Sequence, residues 1–450
     1  MGNKILEKWS LKWYNKTRKK MIILNLQKEG YQKRLIDEKI SKYLKIFGAI
    51  SIVGPKWCGK TWTSLNHANS VSYMTEKSSR ELASVDPKYI FTNNSPQLID
   101  EWQLVPTIWD TVRHECDSDH NKGKFILTGS TSLTKEESEE DVFHSGTGRI
   151  ALMNMYPMSL YESGDSTGDV SITEMLEDNV KCKYIRKVEL NELAKLIIRG
   201  GWPANIDSDI ENIDIIPKSY IDSIVNRDIN ERKDKKRDPY KMRMLIRSLA
   251  RNESGTTGYD TIVKDIEEYE NSTELIESRK TIADYVSVLD SLYLTSNQEA
   301  YSINYRSSKR VGKSPKRHLV DPSLSCASLD LSIDKLMNDL NTFDLMFEAL
   351  VERDLKIYMD YLDGHLYHFR DNTTGDEVDA IVEFRDGSYG AIEIKLSEAG
   401  IEDAKKSLKK FYDNVSKKPK FMCIIVGHYE AVIKDKETGI YIIPITSLKP

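Results

Sequence analysis

The sequence predicts an α/β protein in three parts, and three observations predict it. A glycine-rich loop follows a short apolar stretch near residue 50, an acidic pair and another apolar stretch come later, and charged residues alternate with isoleucine near the C-terminus. A length of 450 residues is enough for about three domains of ~150 residues. We therefore expect a phosphate-loop core, a helical middle region containing a winged helix, and a C-terminal α/β unit.

The glycine-rich loop is the first of these features. The stretch Gly54 to Thr61 fits the G-x-x-x-x-G-K-[ST] phosphate-loop pattern. The apolar run Ala49 to Val53 before it predicts a buried strand, and Trp62 to Ala68 after it predicts a helix. Strand, loop and helix are the context that the motif requires; the alternative is a chance glycine turn.

The residue types of this loop indicate its ligand. The glycines let the backbone approach phosphate oxygens, and successive N–H groups at a helix N-terminus face the anion. Lys60 is placed to reach the β- and γ-phosphates, and the Thr61 hydroxyl is suited to hold Mg²⁺. We expect ATP and Mg²⁺ as ligands, with nucleotide contacts from Gly54, Pro55, Lys56, Trp57, Cys58, Gly59, Lys60 and Thr61.

Composition limits the class of protein. Apolar residues make up 39% and charged residues 30% of the chain, as in an ordinary globular protein. No apolar run approaches the roughly 20 residues that cross a bilayer, and there is no secretory pattern. The five cysteines are scattered without a CxxC pair, which indicates reduced thiols and no zinc site. We expect a cytoplasmic protein without a membrane span.

Residues 1–30 are a basic leader. Lys4, Lys8, Lys12 and Lys16 recur every four residues and would give a helix one cationic face. Such a face suits contact with nucleic acid or an anionic membrane, and a solvated helix is the alternative. Residues 31 to 46 then predict an amphipathic helix that leads into the strand before the phosphate loop.

An acidic pair, Asp100 and Glu101, follows two aliphatic residues and predicts the end of a strand beside the phosphate loop. In P-loop ATPases the first carboxylate of such a pair holds Mg²⁺ and the second polarises the attacking water. A surface Asp-Glu pair is the alternative. The next predicted strand ends with Thr128 and Ser130, either of which is suited to lie near the γ-phosphate; a plain strand-end turn is the other interpretation.

The middle of the chain has a helical pattern. Met242–Arg251, Tyr259–Tyr269 and Ser278–Leu294 predict three helices, and Ser302–Tyr305 predicts a wing strand. Three helices and a hairpin suggest a winged helix, which reads DNA through its third helix. Because this third helix carries acidic as well as basic residues, a winged helix with a protein-contact or structural role is an equal alternative.

The segment Arg306 to Arg317 follows with six basic residues and no acidic one. A loop this basic is suited to contact nucleic-acid phosphates. A solvated linker between two domains is the competing interpretation.

The C-terminal part contains a set of carboxylates and a lysine. A predicted long helix contains Glu348, and two predicted neighbouring strands contain Asp379 and Glu393. Glu393 and Lys395 alternate across one isoleucine, so they point to the same face. Asp379 and Glu393 are suited to bind one or two Mg²⁺ ions, with Glu348 as a further carboxylate and Lys395 orienting or activating water for phosphodiester attack. This is the pattern of PD-(D/E)xK nucleases; a retained fold without activity is the alternative.

Taken together, the motifs resemble a prokaryotic family of AAA-type P-loop ATPases with a C-terminal domain of the restriction-endonuclease-like fold. Their shared order along roughly residues 31 to 400 carries the resemblance. The matching stretches are Gly54-Pro55…Gly59-Lys60-Thr61, Leu98–Gln103, Phe125–Ser130, Gly148-Arg149, Pro157–Leu160, Gly200–Pro203, Arg227-Asp228, Lys309–Lys316, the Asp321 segment and Glu377-Val378-Asp379…Glu393-Ile394-Lys395. Lys56-Trp57-Cys58 departs from the family, where Arg-Gln and a small aliphatic are usual, but phosphate contacts come from the backbone and Lys60.

The resemblance also implies a role for Arg149. An arginine at this position would neutralise transition-state charge in its own chain or in a neighbouring chain. A surface arginine on a loop after the acidic run of residues 135 to 141 is the alternative.

The sequence thus predicts five segments and two functional alternatives. The segments are a basic leader (1–30), a P-loop AAA-type ATPase core (31–165), a helical lid or linker (166–240), a winged-helix-like region with a basic linker (241–317) and a PD-(D/E)xK nuclease-like unit (318–450). One alternative is an Mg²⁺-dependent ATPase acting on or regulating a nucleic-acid-related process, with a metal-dependent DNA nuclease domain. The other is a nucleotide-operated switch whose C-terminal unit binds a partner without catalysis. Besides ATP, DNA and a protein partner or a second copy of the chain are the expected partners.

Overall fold

The computed structural model describes residues 26–92, 94–118, 121–131, 146–230, 237–270, 279–302, 314–371 and 375–450. Most of the basic leader, the acidic run 135–141, residues 303–305 of the predicted wing strand and residues 306–313 of the basic segment lie outside these ranges.

A five-stranded parallel sheet follows helix α1 (Ile36–Tyr43). Its strands are β1 (Ala49–Val53), β2 (Ser70–Tyr73), β3 (Gln97–Asp100), β4 (Phe125–Gly129) and β5 (Ile150–Asn154). Their order across the sheet is β2-β3-β4-β1-β5. The strands predicted before the phosphate loop, at the acidic pair and before Ser130 are therefore confirmed, but β4 lies between β1 and β3, so the strand of the acidic pair is not the direct neighbour of β1.

Helices cover both faces of this sheet, which is why β1 is apolar along nearly its whole length and buried throughout. Ile50 and Ile52 pack on one face with Leu65, while Ala49 packs on the other face with Val112. The covering helices are α2 (Lys60–His67), α3 (Lys77–Val85) and α4 (Ile108–Ser118). The helix predicted after the phosphate loop is confirmed as α2.

The segment after β5 packs on a second sheet, which is formed mainly by residues 365–444. It contains β6 (Val170–Ser171), α5 (Ile172–Leu176), β7 (Lys183–Tyr184) and α6 (Leu190–Arg199). A reciprocal capping box between Ser171 and Glu174 starts α5. Val170 pairs with Leu448, and Lys183 pairs with Val432. This segment thus joins the hydrophobic core of the C-terminal part of the chain.

Helices α7 (Ile215–Asn226), α8 (Pro239–Arg251), α9 (Tyr259–Glu270) and α10 (Arg279–Ser291) share one core in the middle of the chain. The three helices predicted there from the sequence are confirmed as α8, α9 and α10. After α10 the chain runs antiparallel to residues 316–319, where Thr295 bridges to Leu319 and Gln298 to Lys316. That these helices form a winged helix stays a prediction.

The second sheet has eight strands in the order β7-β13-β14-β12-β11-β10-β9-β8. Its further strands are β8 (Glu299–Ala300), β9 (His365–Asp371), β10 (Asp376–Glu383), β11 (Tyr389–Ser397), β12 (Phe421–His428), β13 (Ala431–Lys434) and β14 (Tyr441–Pro444). The short strand β15 (Leu448–Lys449) pairs only with β6. The strands predicted over residues 366–395 are confirmed.

Helices pack on both faces of the second sheet. They are α11 (Pro322–Ser328), α12 (Ile333–Asn338), α13 (Leu340–Tyr361) and α14 (Ile401–Asn414). Apolar residues of α13 such as Phe347 and Leu350 pack on one face, and Leu408 and Phe411 of α14 pack on the other. In the part of the chain that the structure describes, no helix is long and apolar enough to cross a membrane.

Candidate functional site

The phosphate loop joins the C-terminal end of β1 to the first turn of α2. Gly59 lies at the N-terminus of α2 with φ 105°, a conformation that side chains rarely adopt. The Lys60 ammonium is buried within the loop and donates hydrogen bonds to the carbonyl oxygens of Gly54 (2.9 Å) and Pro55 (2.7 Å). A fixed cation therefore lies beside the N–H groups that open the helix.

The end of β3 brings a carboxylate to this loop, although β4 intervenes between the two strands. The Thr61 hydroxyl donates to Asp100 Oδ1 over 2.9 Å, and the Thr128 hydroxyl donates to the same oxygen over 2.5 Å. Burial raises the pKa of the Asp100 carboxyl above its ordinary value, and these two hydrogen bonds act against that shift. The structure thus brings together three of the predicted residues, Thr61, Asp100 and Thr128.

Glu101 leaves the strand in a different direction from Asp100. Its φ of 55° is in the left-handed region, which is uncommon for residues other than glycine and concentrates at functional sites. Its carboxylate accepts hydrogen bonds from the Ser130 hydroxyl (2.9 Å) and from the Gln103 amide. Glu101 therefore lies at the rim of the same site, with two neutral donors that fix its orientation.

A buried arginine supports the loop from behind. Arg34 donates from Nη1 to the Cys58 carbonyl and from Nη2 to the Tyr156 carbonyl, each over 2.8 Å. Its Nε forms an ion pair with Glu162 at 2.9 Å. No feature of the sequence around Arg34 predicts this contact, because its partners are far away along the chain.

The loop opens into a cleft of about 1320 Å³. Lys60, Thr61, Asp100 and Glu101 line one side, and Pro203 and other residues of the helical region line the opposite side. This volume accommodates a nucleotide, since small-molecule sites span roughly 300–1,000 Å³. The helical region therefore covers the phosphate loop.

Two side chains of the phosphate loop contact the helical cover directly. Lys56 Nζ lies 2.9 Å from Asp228 Oδ1, and Asp228 is buried. The Trp57 ring meets Tyr220 edge-on with 6.0 Å between ring centroids, while more than half of the Trp57 surface stays exposed. The side chains of Lys56 and Trp57 thus contact α7 and the residues after it. Cys58 is buried beneath the loop.

Arg149 does not lie at this site in its own chain. It precedes β5, and Ala49 at the start of β1 pairs with Ile150, so Arg149 is at the opposite end of the sheet from the phosphate loop. The two ends of a five-residue strand are roughly 13 Å apart. The Arg149 guanidinium is exposed and pairs with Asp117 at 2.9 Å. The structure therefore corrects the expectation that Arg149 acts in its own chain, whereas a role in a neighbouring chain stays a prediction.

The predicted C-terminal residues Asp379, Glu393 and Lys395 do converge. Ala380 pairs with Ile392, so Asp379 and Glu393 lie across from each other on β10 and β11. Lys395 Nζ is 3.0 Å from Glu393 Oε2 and 3.5 Å from Asp379 Oδ2. The pairing of β10 with β9 shifts register between Val378 and Ile381, an irregularity of the kind that re-aims side chains next to active sites.

The charges of this cluster shift one another. Burial, together with the nearby Asp379 carboxylate, raises the pKa of Glu393 to about 7. Burial lowers the pKa of Lys395, but Asp379 and Glu393 outweigh it and hold that pKa above its ordinary value. Lys395 therefore stays an ammonium, which can orient water or stabilise an anion but is unsuited to act as a base.

Glu348 is the remaining member of the predicted set, and it has a different partner. Its carboxylate contacts the Lys316 ammonium, which also lies 2.7 Å from Glu352. Within the described ranges, no group of three or more His, Cys, Asp or Glu side chains is arranged to hold a metal ion. Lys316 belongs to the basic segment predicted as a loop or linker, yet it is buried and paired.

The donor sets fit the predicted ligands to different degrees. At the phosphate loop, a hydroxyl and a carboxylate are the oxygen donors that Mg²⁺ prefers, and Lys60 and the α2 N-terminus suit phosphates. The C-terminal cluster fits a metal ion less completely. Asp379 and Glu393 offer two converging carboxylates, but Glu348 is held by a lysine.

Three parts of the sequence match models of known families. Residues 47–164 match a family described as an AAA domain. Residues 190–335 match a domain of unknown function (DUF8612), and residues 343–448 match a domain of unknown function (DUF4143). With the phosphate-loop geometry above, the first match identifies the N-terminal sheet as an AAA-type P-loop ATPase domain, which binds ATP.

Solved structures give looser matches. The Walker-type ATPase PABY2304 of Pyrococcus abyssi is 13% identical, with 68% of this chain and 97% of that chain covered and a TM-score of 0.40. The ORC2 protein of Aeropyrum pernix is 12% identical (72% and 97% covered, TM-score 0.31), and AMPPCP-bound DnaA from Aquifex aeolicus is 10% identical (58% and 89% covered, TM-score 0.26). No curated protein matches the chain at a significant level. Because these TM-scores are low, the assignment of the N-terminal domain rests on the family match and on the geometry of the phosphate loop.

Proposed function

We propose that the chain is an Mg²⁺-dependent ATPase that acts on or regulates a nucleic-acid-related process. The observation that carries the hydrolysis step is the shared contact of Thr61 and Thr128 with Asp100 Oδ1. It places a hydroxyl and a carboxylate beside Lys60, which is the arrangement that a nucleotide-bound magnesium needs. Mg²⁺, when bound, neutralises charge on the phosphate oxygens.

In this proposal each residue of the site has its own role. Lys60 and the loop N–H groups bind the phosphates, Thr61 and Asp100 hold the metal, and Glu101 orients the attacking water. Ser130 and Gln103 support Glu101, since both donate hydrogen bonds to its carboxylate. The Thr128 hydroxyl bridges β4 to the metal-binding carboxylate.

The test of this proposal is the variant Glu101→Gln. Its amide is unable to polarise water as a carboxylate does, so we expect ATP to bind normally while turnover falls by roughly 10²–10⁴-fold. Calorimetry measures the binding and phosphate release measures the turnover, with Glu115→Gln, on α4, as the control. Unaltered turnover would show that Glu101 is not the water-orienting residue.

We propose that the five segments predicted from the sequence are functional divisions of the chain, and that the two halves of segment 166–240 pack differently. Residues 166–199, predicted as part of a lid or linker, share strand pairs and a core with the C-terminal unit (318–450). Residues 203–228 contribute to the cover of the nucleotide cleft. These contacts support a lid function for the second half of segment 166–240.

A specific observation also favours a second activity, metal-dependent cleavage of DNA by the C-terminal unit with a restriction-endonuclease-like fold. The carboxylates of Asp379 and Glu393 converge within 3.5 Å of the Lys395 ammonium. Two carboxylates and a lysine are suited to hold Mg²⁺ and a phosphodiester. The competing proposal is a nucleotide-operated switch whose C-terminal unit binds a protein partner or a second copy of the chain, with Lys395 serving to neutralise the two carboxylates.

Cleavage assays separate these alternatives. If the unit is a nuclease, Asp379→Ala and Lys395→Ala should each remove Mg²⁺- or Mn²⁺-dependent cleavage of single-stranded, duplex or branched DNA and leave ATP hydrolysis intact. Lys406→Ala, which removes an exposed cation of the same unit, is the control. If the wild-type protein cleaves none of these DNAs with or without ATP, the switch is the better account.

A further inference from the structure

Lys316 is a buried cation next to the C-terminal cluster, and it comes from outside the C-terminal unit. Only 5% of its surface is exposed. Its backbone N–H and carbonyl pair with Gln298 over 2.8 and 2.9 Å, and the Gln298 amide donates to the Tyr367 carbonyl of β9 over 2.7 Å. These contacts fix the Lys316 backbone at the edge of the second sheet.

The Lys316 ammonium has three acidic or carbonyl partners. It contacts the Glu348 carboxylate, lies 2.7 Å from Glu352 Oε1 and lies 3.4 Å from the backbone carbonyl of Asp379. Both carboxylates come from one face of α13, since residues four apart on a helix are neighbours. Lys316 thus lies between α13 and β10, next to the Asp379 backbone.

His318 and Glu253 form a second layer of buried polar groups next to Glu352. His318 Nε2 lies 3.1 Å from Glu352 Oε2, and His318 Nδ1 lies 3.0 Å from Glu253 Oε1. The other Glu253 oxygen accepts a hydrogen bond from Ser325. The geometry around Lys316 is therefore fixed by a buried polar network and not by a mobile surface pair.

Four carboxylates next to Lys316 and Lys395 are divided between these two lysines. Lys395 contacts Asp379 and Glu393, and Lys316 contacts Glu348 and Glu352. The Lys395 ammonium is the more accessible of the two cations, because its side chain is 27% exposed while the Lys316 side chain is 7% exposed. A divalent ion therefore displaces the Lys395 ammonium more easily than the enclosed Lys316 ammonium.

We propose that Lys316 is a built-in cation that keeps Glu348 and Glu352 from binding metal, so the C-terminal site takes one divalent cation, at Asp379 and Glu393. This inference rests on the metal-binding site proposed above and refines it. A positively charged side chain satisfies both carboxylates of α13 in a buried position, where unpaired charges are costly. Lys316 is thus a positioning residue: it fixes α13 against β10 and replaces a second metal ion.

The protonation state of Lys316 agrees with this role. Burial lowers the pKa of its ammonium, but the carboxylates of Glu352 and Glu348 outweigh this effect and hold the pKa above its ordinary value. The lysine is therefore charged at neutral pH.

The test counts Mn²⁺ ions bound by the full-length, nucleotide-free protein, using electron paramagnetic resonance to separate free from bound metal. All variants carry Asp100→Asn to remove a carboxylate ligand from the phosphate-loop site. The parent protein carries Asp100→Asn alone, and we expect it to bind one ion. We expect none after Asp379→Asn, and one with unchanged affinity after Glu348→Gln. Lys316→Ala should gain a second ion, because Glu348 and Glu352 lose their cation and space opens beside them. Lys406→Ala is the matched lysine control and should stay at one.

Each outcome decides the role of Lys316. Two ions in the parent protein, no gain after Lys316→Ala, or weaker binding after Glu348→Gln would overturn it. If the parent protein binds no ion and Lys316→Ala gains one, the role of Lys316 stands while the site at Asp379 and Glu393 fails. No ion in either protein overturns both. If Lys316→Ala does not fold, Glu348→Gln decides, because that variant leaves the lysine in place.

Discussion

Lys60 shares its ammonium between two carbonyl oxygens of its own loop, so its charge is fixed at the opening of α2. Asp100 is fixed in the same way by two hydroxyl groups. At the scale of single residues, the nucleotide site is therefore preorganised by short hydrogen bonds between groups that come from three different strand ends. Preorganised charges of this kind stabilise a bound or developing charge more strongly than mobile charges do.

Replacing Lys60 tests its phosphate contact. Lys60→Ala removes the ammonium that reaches the β- and γ-phosphates, and hydrogen bonds to charged groups are worth about 1.5–3 kcal/mol each. We expect ATP affinity, measured by calorimetry, to fall by at least roughly 10- to 100-fold. Lys33→Ala, which removes an exposed cation, is the control. Equal affinity in both variants would contradict the role of Lys60.

Glu393 should make stability depend on pH. Because its pKa is raised to about 7 in the folded protein, the folded state binds more protons than the unfolded state between the ordinary carboxyl pKa and that value. Stability from this group is present at low pH and is lost as pH rises through that window, by up to about 1.4 kcal/mol per pH unit.

Urea unfolding with a chelator present checks this expectation. Between about pH 5 and about pH 8, the wild-type protein should lose more stability than Glu393→Gln, whose amide does not titrate. The same loss in both proteins would mean that Glu393 has an ordinary pKa.

At the scale of elements, helix α13 carries two groups of buried charged residues that contact different parts of the chain. Glu348 and Glu352 on this helix contact Lys316. One residue further along, the buried Arg353 pairs with Asp321 at the N-terminus of α11, and Asp354 accepts a hydrogen bond from the Leu160 N–H. The helix is roughly 33 Å long, which is enough to reach from the carboxylate cluster to the segment after β5.

Gly201 shows how tightly neighbouring elements pack next to α6. A Cβ atom at this position would lie 2.1 Å from the Met158 carbonyl oxygen, and the Met158 N–H donates to the Gly201 carbonyl over 2.6 Å. Gly201→Ala forces two backbones apart and should destabilise the protein by about 1–3 kcal/mol.

Thermal unfolding of Gly201→Ala and of Gly258→Ala makes the comparison, because a Cβ at Gly258 meets no atom within 4 Å. The Gly258 variant should unfold near the wild-type temperature and the Gly201 variant well below it. If the two variants unfold together, the close approach at Gly201 is not under strain.

At the scale of the whole molecule, the second sheet and the separate β6–β15 strand pair draw residues from several distant parts of the chain. Strands β6 and β7 pair with β15 and β13, β8 pairs with β9, and α6 packs on the core. Lys316 also reaches this region from just before the predicted boundary at residue 318. The C-terminal unit therefore depends on residues from earlier segments for its packing.

Fragments of the chain test this dependence. Residues 318–450 alone lack α6, whose buried Leu193 and Ile197 pack on the second sheet. The fragment would therefore expose apolar surface, at a free-energy cost of roughly 25 cal/mol for each Å² exposed. We expect fragment 318–450 to bind a hydrophobic dye and to unfold without a cooperative transition, and fragment 155–450 to unfold cooperatively. Equal cooperativity in urea for both fragments would show that the C-terminal unit is self-sufficient.

Local pattern was enough to predict the phosphate loop and most elements. The run Ala49–Val53 predicted β1, the loop after it predicted α2, and period-two alternation predicted that Glu393 and Lys395 share a face. These predictions depend on neighbours within a few residues, and the structure confirms them because propensity, pattern and turn chemistry agree there. The AAA-type identity of the N-terminal domain belongs to the same class, since it follows from motifs in a fixed order.

Only the tertiary structure decided which distant residues meet. It inserted β4 between β1 and β3, placed Arg149 at the far end of the sheet, buried Lys316 beside Glu348 and packed α6 on the second sheet. None of these contacts is local, and each is set by strand order and by the need to bury apolar faces and pair buried charges. The sequence by itself therefore determined the residue types and their local geometry, while the long-range pairing of charges, on which the C-terminal site depends, was decided by the packing of the whole chain.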